Sequence, residues 1–352
     1  MNKKMNIGLI KGAKGLKYIG GGVNYSIIRL YKEIRKKHKV RLIYGNGILP
    51  KTLGYLPFGK INGFDILHAG APEFLAFIKS KSPIISTFYD DGMCNSSLVS
   101  YLNNVPRTSD RLMIKMNKKL LKFLITKGIK RCKKIAVISY ASKQKLINNF
   151  KVAENKIAII PPGIDTNTFH PFKIKSKHEN TLQLFFCGGI SYRKGVDNLL
   201  KAVKQLEKEG PVKLWLAGGI HPSFKLKRML INLKLTNIVK YFGFVSNKKL
   251  NQLYNKSDIF VMPSRFEGYG IPPLEALACG TKVVCSLMPS IEPFKEFVTI
   301  TELTPKAIAE NVLKAYKKKT DLKPARAKIE KEYSVKVVSQ KYIKLYEKLV
   351  NQ

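Results

Sequence analysis

Acidic residues are scarce in this chain: 23 Asp and Glu stand against 64 Lys and Arg in 352 residues, a formal net charge of +41. Strong charge in an apolar-poor chain would read as disorder. Here 45% of the residues are hydrophobic and 25% charged, so a folded, strongly basic protein is expected. Metal-type cysteine spacing is also missing. Cys94, Cys132, Cys187, Cys279 and Cys285 form no Cys-x-x-Cys or Cys/His pattern, which argues against a disulfide framework or a zinc site and fits a reducing compartment. No apolar run approaches the roughly 18 residues that span a bilayer. The run after Lys3 and Lys4 stops at Ile10, too short for a secretory segment. The expected location is the cytoplasm, with any membrane contact peripheral. A Gly-x-Gly-x-x-Gly fingerprint is absent as well, so a dinucleotide site is not indicated.

The positive charge is not a tail. Residues 1–165 hold 31 Lys and Arg against 8 Asp and Glu, and the remainder holds 33 against 15. Background composition explains such an even spread, as do three acidic partners: a nucleic acid, an anionic membrane or a phosphorylated substrate. No zinc-finger, basic-zipper or RNA-binding signature accompanies it, which argues against nucleic acid.

Short apolar runs alternate with amphipathic helical stretches throughout. Met5–Ile10, Val40–Tyr44, Phe64–Ala69, Pro83–Phe88 and Lys134–Ser139 read as one series of strands. Leu182–Cys187, Val212–Ala217, Val239–Val245, Asp258–Pro263 and Lys282–Ser286 read as a second. Helical periodicity covers Val23–Lys37, Ser142–Phe150, Val196–Glu207 and Pro305–Lys318. This alternation predicts parallel sheets covered on both faces. The aperiodic Pro161–Asn180 stretch marks a linker. Two doubly wound α/β domains are therefore expected, at 1–165 and 166–333. The amphipathic end, 334–352, either completes the second core or returns to the first.

Ligands of doubly wound sheets sit beyond the carboxyl ends of strands, so a site in a cleft between two facing domains is expected. Three motifs lie just after strands. Gly20-Gly21-Gly22 precedes a helix, where adjacent glycines let a phosphate approach free N–H groups; a flexible turn would read the same way. Gly188, Gly189, Arg193 and Lys194 follow Leu182–Cys187 and form a candidate diphosphate clamp, although adjacent cations are common in so basic a chain. The third, Pro263 to Gly280, reads PSRFEGYGIPPLEALACG. It holds two scarce carboxylates, Glu267 in a glycine-flanked loop and Glu275 in or near the first turn of a helix. Gly268, Tyr269 and Gly270 leave backbone N–H groups beside Glu267. A first-turn Glu275 could also simply complement the helix dipole.

With these residues in place, Leu182–Ser286 resembles the donor-binding domain of glycosyltransferase family 4 (group 1), a retaining family of GT-B fold. The Glu-x7-Glu element, Glu267 to Glu275, is the most specific mark. RKGVDNLLKAV, LWLAGG and YNKSDIFVMPS follow the family in order and spacing, and the first half resembles it more loosely through IGGGV, FDILHAG and IIPPGIDTNTFHP.

The resemblance implies transfer of a hexosyl unit from a UDP- or GDP-sugar to a glycan or lipid-linked acceptor. It implies that Lys194 and Arg193 hold the donor diphosphate, that Glu267 contacts the donor sugar and that Glu275 binds the ribose. Gly188, Gly189 and the backbone of Gly268, Tyr269 and Gly270 line the donor, and Gly21 and Gly22 close over it. Asp-x-Asp, the metal-chelating mark of the other major transferase fold, is absent, so neither metal nor other cofactor is expected. Three departures stand out. Gly189 occupies a position where many members carry arginine, which leaves Arg193 as the substitute. Thr87-Phe88-Tyr89-Asp90 replaces Thr-x-His-Asp, so Tyr89 stands for the histidine near the reacting sugar. Pro162 replaces a linker asparagine. His68, Tyr89 and Asp90 remain acceptor-side candidates, with His68 equally readable as a structural strand-end residue.

The segment 107–134 carries 11 Lys and Arg and one acid, Asp110. Leu112, Met116, Leu120, Phe123 and Leu124 recur at helical spacing between its basic faces. It reads either as a solvated helix on its own sheet or as a surface that docks on anionic lipid, where a lipid-linked acceptor would be met. A soluble acceptor, or nucleic-acid binding on a degenerate transferase fold, are the competing readings.

Overall fold

The computed structural model describes residues 4–11, 21–44, 59–89, 108–172 and 180–352, without side chains for 21–25 and 108–118. The chain divides into two compact units, 1–163 with 335–352, and 164–334. Each is built on a six-stranded sheet in which every pairing is parallel.

The first unit contains β1 (Asn6–Lys11), α1 (Gly21–Ile34), β2 (Lys39–Tyr44), β3 (Gly59–Lys60), β4 (Ile66–Ala69), β5 (Ile78–Lys79), β6 (Ile84–Phe88), α2 (Thr108–Arg131), β7 (Lys134–Val137), α3 (Tyr140–Phe150) and β8 (Ile157–Ile159). The sheet order is β2-β1-β4-β6-β7-β8, and β3 pairs separately with β5. Near-continuous apolar strands bury both faces, as Ile66, Leu67 and Ala69 illustrate at 0% exposure. The three-residue β8 lay outside the strand pattern read from sequence.

Helix α2 packs its apolar side on its own unit. Leu124, Ile125, Ile129 and Cys132 are buried, whereas Phe123, placed with Leu120 and Leu124 on one predicted stripe, is 52% exposed. The register explains the difference: successive helical residues diverge by about 100°, and the buried face runs through Ile125 and Ile129. Side chains of Leu112 and Met116 lie outside the described residues, as does Arg107. Gly128 lets α2 approach the 3-10 turn Pro72–Leu75, because a Cβ there would stand 1.8 Å from the Pro72 carbonyl oxygen.

The second unit contains β9 (Leu182–Cys187), α4 (Val196–Leu206), β10 (Val212–Ala217), α5 (Leu226–Asn232), β11 (Val239–Tyr241), α6 (Asn247–Lys256), β12 (Ile259–Met262), α7 (Ile271–Ala278), β13 (Lys282–Cys285), β14 (Thr299–Ile300), α8 (Pro305–Lys317) and α9 (Lys323–Lys328). Its order is β11-β10-β9-β12-β13-β14. The winding reverses between β9 and β12, and that is where the loops carrying both sequence motifs emerge.

The terminal helix α10 (Val335–Val350) belongs to the first unit. Val338, Tyr342, Tyr346 and Leu349 join Ile7, Leu9, Ile27 and Leu30 in one core. Two of its tyrosines also reach a buried polar chain. His68 Nδ1 lies 2.6 Å from Tyr346 Oη, His68 Nε2 lies 2.8 Å from Thr87 Oγ1, and Thr87 Oγ1 lies 2.9 Å from Tyr342 Oη. Both imidazole nitrogens are thus occupied in a fully buried setting, and burial pulls the His68 pKa down to about 3.

Two outcomes follow. Gly128→Ala should lower stability by about 1–3 kcal/mol through overpacking, seen as a lower midpoint in urea denaturation. Neutral His68 makes folding favourable above the unfolded pKa near 6.5, and that contribution falls as pH drops toward 3, because only the unfolded chain takes the proton. Between pH 7 and 5 the loss should reach about 2 kcal/mol. Urea titrations of His68→Asn at both pH values should show this part of the slope removed; an unchanged slope would contradict the assignment.

Candidate active site

The site of the second unit is assembled from two loops, 188–195 after β9 and 263–270 after β12. Their strands are hydrogen-bonded neighbours, which brings residues 73 positions apart into contact. Gly195 sets how close the loops come. Its φ is +69°, and a Cβ on it would lie 1.9 Å from the Pro263 carbonyl oxygen. Any side chain here would push the loops apart and meet backbone strain as well.

Lys194 and Glu267 meet directly: the ammonium donates to Glu267 Oε1, and both side chains are largely enclosed, at 11% and 8% exposure. Ser264 Oγ donates to the same carboxylate oxygen at 2.8 Å, and Arg193 Nη1 lies 3.8 Å from the other. Burial lowers the Lys194 pKa; the Glu267 charge opposes that shift and the Arg193 charge adds to it. The side chain of Arg193 is more open, at 37%, and its Nη1 donates to the Phe266 carbonyl at 2.9 Å. The arrangement holds two cations and one carboxylate at the mouth of a strand pair.

Glu275 sits in the second turn of α7, not the first, because the helix begins at Ile271 behind the left-handed Gly270. It is 5% exposed, and Tyr254 Oη donates to its Oε2 at 3.2 Å. The helix-dipole account of a first-turn carboxylate therefore does not describe it. Gly188 and Gly189 follow β9 directly, and Gly268 lies between Glu267 and the buried Tyr269. Tyr269 keeps its ring inside, so its backbone is what the loop presents. Ser290 Oγ fixes the same turn by donating to the Gly270 carbonyl at 2.6 Å.

In the first unit, Gly21 and Gly22 form the start of α1 rather than a loop ahead of it, and Gly20 lies outside the described residues. A first helical turn has free N–H groups in any case, which makes glycine tolerable there. His68 is at the centre of the buried chain described above, with both ring nitrogens hydrogen-bonded. Tyr89 follows β6, is linked to Ser26 of α1, and lines a small cavity with Arg29, His68, Thr87 and Tyr342. Asp90 lies outside the described residues.

Three contacts escaped the sequence reading: Ser264 on Glu267, Tyr254 on Glu275, and Arg265 on Asp197. All of these residues stood within quoted motifs, but no local signal pairs Tyr254 with a residue 21 positions away or Arg265 with one 68 away.

Comparison with known proteins agrees with this architecture. The profile for glycosyl transferases group 1 matches residues 169–333, and that for glycosyltransferase family 4 matches 49–168. The O-antigen chain mannosyltransferase RfbU of Salmonella typhimurium is 29% identical over 175 residues, 49% of this chain and 48% of that protein. The chain thus spans about half the length of the curated relatives it resembles. Among solved structures, a sucrose-phosphate synthase from Thermosynechococcus elongatus superposes with a TM-score of 0.75 at 16% identity, covering 99% of this chain and 100% of that one. HepE of Anabaena, solved with UDP and glucose, gives 0.70 at 16% identity, covering 98% and 100%. With two profiles of one family spanning residues 49–333 and the fold shared over nearly its whole length, the chain belongs to glycosyltransferase family 4 (group 1) and has the GT-B fold.

Proposed function

We propose that this protein is a retaining glycosyltransferase that moves a hexosyl unit from a UDP- or GDP-sugar to a glycan or lipid-linked acceptor at a membrane surface. The observation that carries the donor half is the meeting of Lys194, Arg193 and Glu267 at the switch point of the second sheet. HepE, solved with UDP and glucose, supports a nucleotide-sugar donor, and the Salmonella O-antigen mannosyltransferase supports a surface glycan as product.

The chemistry follows from the charges. When the bond between the sugar's anomeric carbon and the diphosphate breaks, its electron pair stays on the diphosphate. The acceptor oxygen bonds to that carbon on the same face and gives its proton to the leaving diphosphate oxygen. Lys194 and Arg193 stabilise the charge growing on the leaving group, and one fixed donor of this kind is typically worth about 2.7–4 kcal/mol. They do so without a metal ion. Glu267 neutralises Lys194 while the site is empty and accepts hydrogen bonds from the sugar hydroxyls when donor fills it. Glu275, steadied by Tyr254, accepts from the ribose hydroxyls. Backbone N–H groups at Gly189 and Gly268–Gly270 complete the cradle, whereas the Gly188 N–H is already given to the Ala217 carbonyl at 2.9 Å and lines the site without donating.

The acceptor half rests on α2. Its described outer face presents Lys119, Lys122, Lys127, Lys130 and the adjoining Lys133 around the exposed Phe123. Each cation near anionic lipid contributes about 1 kcal/mol. No helix among the described residues is long and apolar enough to cross a membrane.

A screen of UDP- and GDP-hexoses, scored by nucleoside diphosphate release, should find a donor that turns over equally with and without EDTA. Lys194→Ala and Glu267→Ala should each reduce that rate a hundredfold or more while melting stays cooperative. Turnover of no nucleotide sugar would sink the reading. Liposome flotation should recover the protein with vesicles rich in phosphatidylglycerol and not with neutral ones, and Lys122→Glu/Lys130→Glu should weaken recovery. Equal recovery with both kinds of vesicle would remove the electrostatic basis and favour a soluble acceptor.

A further inference from the structure

We propose that Arg265 and Asp197 are positioning residues that set the separation between the two donor-binding loops. This rests on the donor site proposed above. Arg265 Nη1 and Nη2 donate to Asp197 Oδ1 and Oδ2 at 2.6 and 2.7 Å, a two-pronged pairing of a planar guanidinium with a carboxylate. Asp197 belongs to the first turn of α4, three residues beyond Lys194, whereas Arg265 lies two residues before Glu267. The pair therefore links the start of α4 to the 263–270 loop, close in sequence to the Lys194–Glu267 contact on both strands' loops.

Further bonds make the link rigid. The Arg265 backbone N–H donates to the Arg193 carbonyl at 2.9 Å, and its guanidinium also donates to the Tyr192 carbonyl. Arg193 answers by donating to the Phe266 carbonyl at 2.9 Å. Residues 192, 193 and 197 are thus tied to 265 and 266 at several points, and Lys194 and Glu267 project from backbone whose spacing is already determined. A long, flexible lysine needs such help, since its ammonium reaches a diphosphate reproducibly only when its own backbone is held. Asp197 is 8% exposed, so removing Arg265 leaves a buried carboxylate that pulls in water or shifts the loop.

Asp197 alone could serve only the positive end of α4, and Arg265 alone only the surface. The two accounts separate experimentally. Donor turnover is measured for wild type, Arg265→Ala, Asp197→Asn and the double variant, each with its melting temperature, and with guanidinium chloride added at a few tens of millimolar. Positioning predicts a tenfold or greater fall in kcat for Arg265→Ala and partial recovery with guanidinium, which can enter because the arginine side chain is 34% exposed. It also predicts that the double variant is no worse than Arg265→Ala, because both changes remove one link. Independent, additive losses, or lowered melting temperatures with unchanged kcat, would overturn the proposal. Asp197→Asn keeps the shape of the site should Arg265→Ala fold poorly, and its kcat must then fall several-fold. Wild type inactive with every nucleotide sugar would overturn the donor reading itself and this proposal with it; active wild type with unaffected variants overturns this proposal alone.

Discussion

The buried contact between Lys194 and Glu267 is the constraint around which the second unit is organised. A lysine this enclosed is costly without a partner, and in a chain with 23 acidic residues the partner is not supplied by chance. Strand order provides it. Because β9 and β12 are neighbours at the reversal of winding, the loop after each is carried to the same place. The other local features serve that meeting. Gly195 lets the loops touch, Ser264 steadies the carboxylate, and the left-handed Gly270 turns the chain into α7 so that Glu275 projects from its second turn. Burial and Arg193 both push Lys194 toward losing its proton, and Glu267 resists. A diphosphate would take over Glu267's part of that balance, leaving its carboxylate for neutral hydroxyls.

The first unit uses polarity differently. Its His68, Thr87, Tyr342 and Tyr346 make a buried hydrogen-bonded chain beside a small cavity, and its consequence is attachment of α10. The same hydrogen bonds give His68 the structural role that its place at a strand end also allowed. Tyr89 borders the same small cavity as His68, Thr87 and Tyr342. On the outer face of α2, Lys127 lies over the rings of Phe77 and Phe123, and the exposed Lys119, Lys122 and Lys130 face outward, where solvent or an anionic surface is their natural counterpart.

Much of this was legible from residues alone. Apolar runs bounded by Gly and Pro located β9, β10, β12 and β13 because buried parallel strands need little else. The loops after β9 and β12 could be read as ligand-binding for the same reason: glycine, cations and carboxylates together after a buried strand have few structural explanations. What sequence did not carry was pairing at a distance. Tyr346 lies 278 positions from His68, and Arg265 lies 68 from Asp197; those partners depend on strand order and helix docking, which no local pattern encodes. Short edge strands such as β8 and β14 were missed because two or three residues show no period. Phe123 was misplaced because several apolar residues cluster on α2, and choosing the buried arc needs the turn Pro72–Leu75 against which Gly128 packs.

The scarcity of acid now has a sharper meaning. Of the few carboxylates, Glu267, Glu275 and Asp197 all lie at one end of one sheet, each with a stated partner, while most cations among the described residues face outward. The central claim is that the cations among them recognise a diphosphate. Calorimetric titration of the protein with UDP, GDP and their monophosphates tests this most directly. The account predicts that the diphosphate of the preferred base binds at least tenfold more tightly than its monophosphate, and that Lys194→Met abolishes the difference. Equal affinity for mono- and diphosphate in the unaltered protein would contradict it.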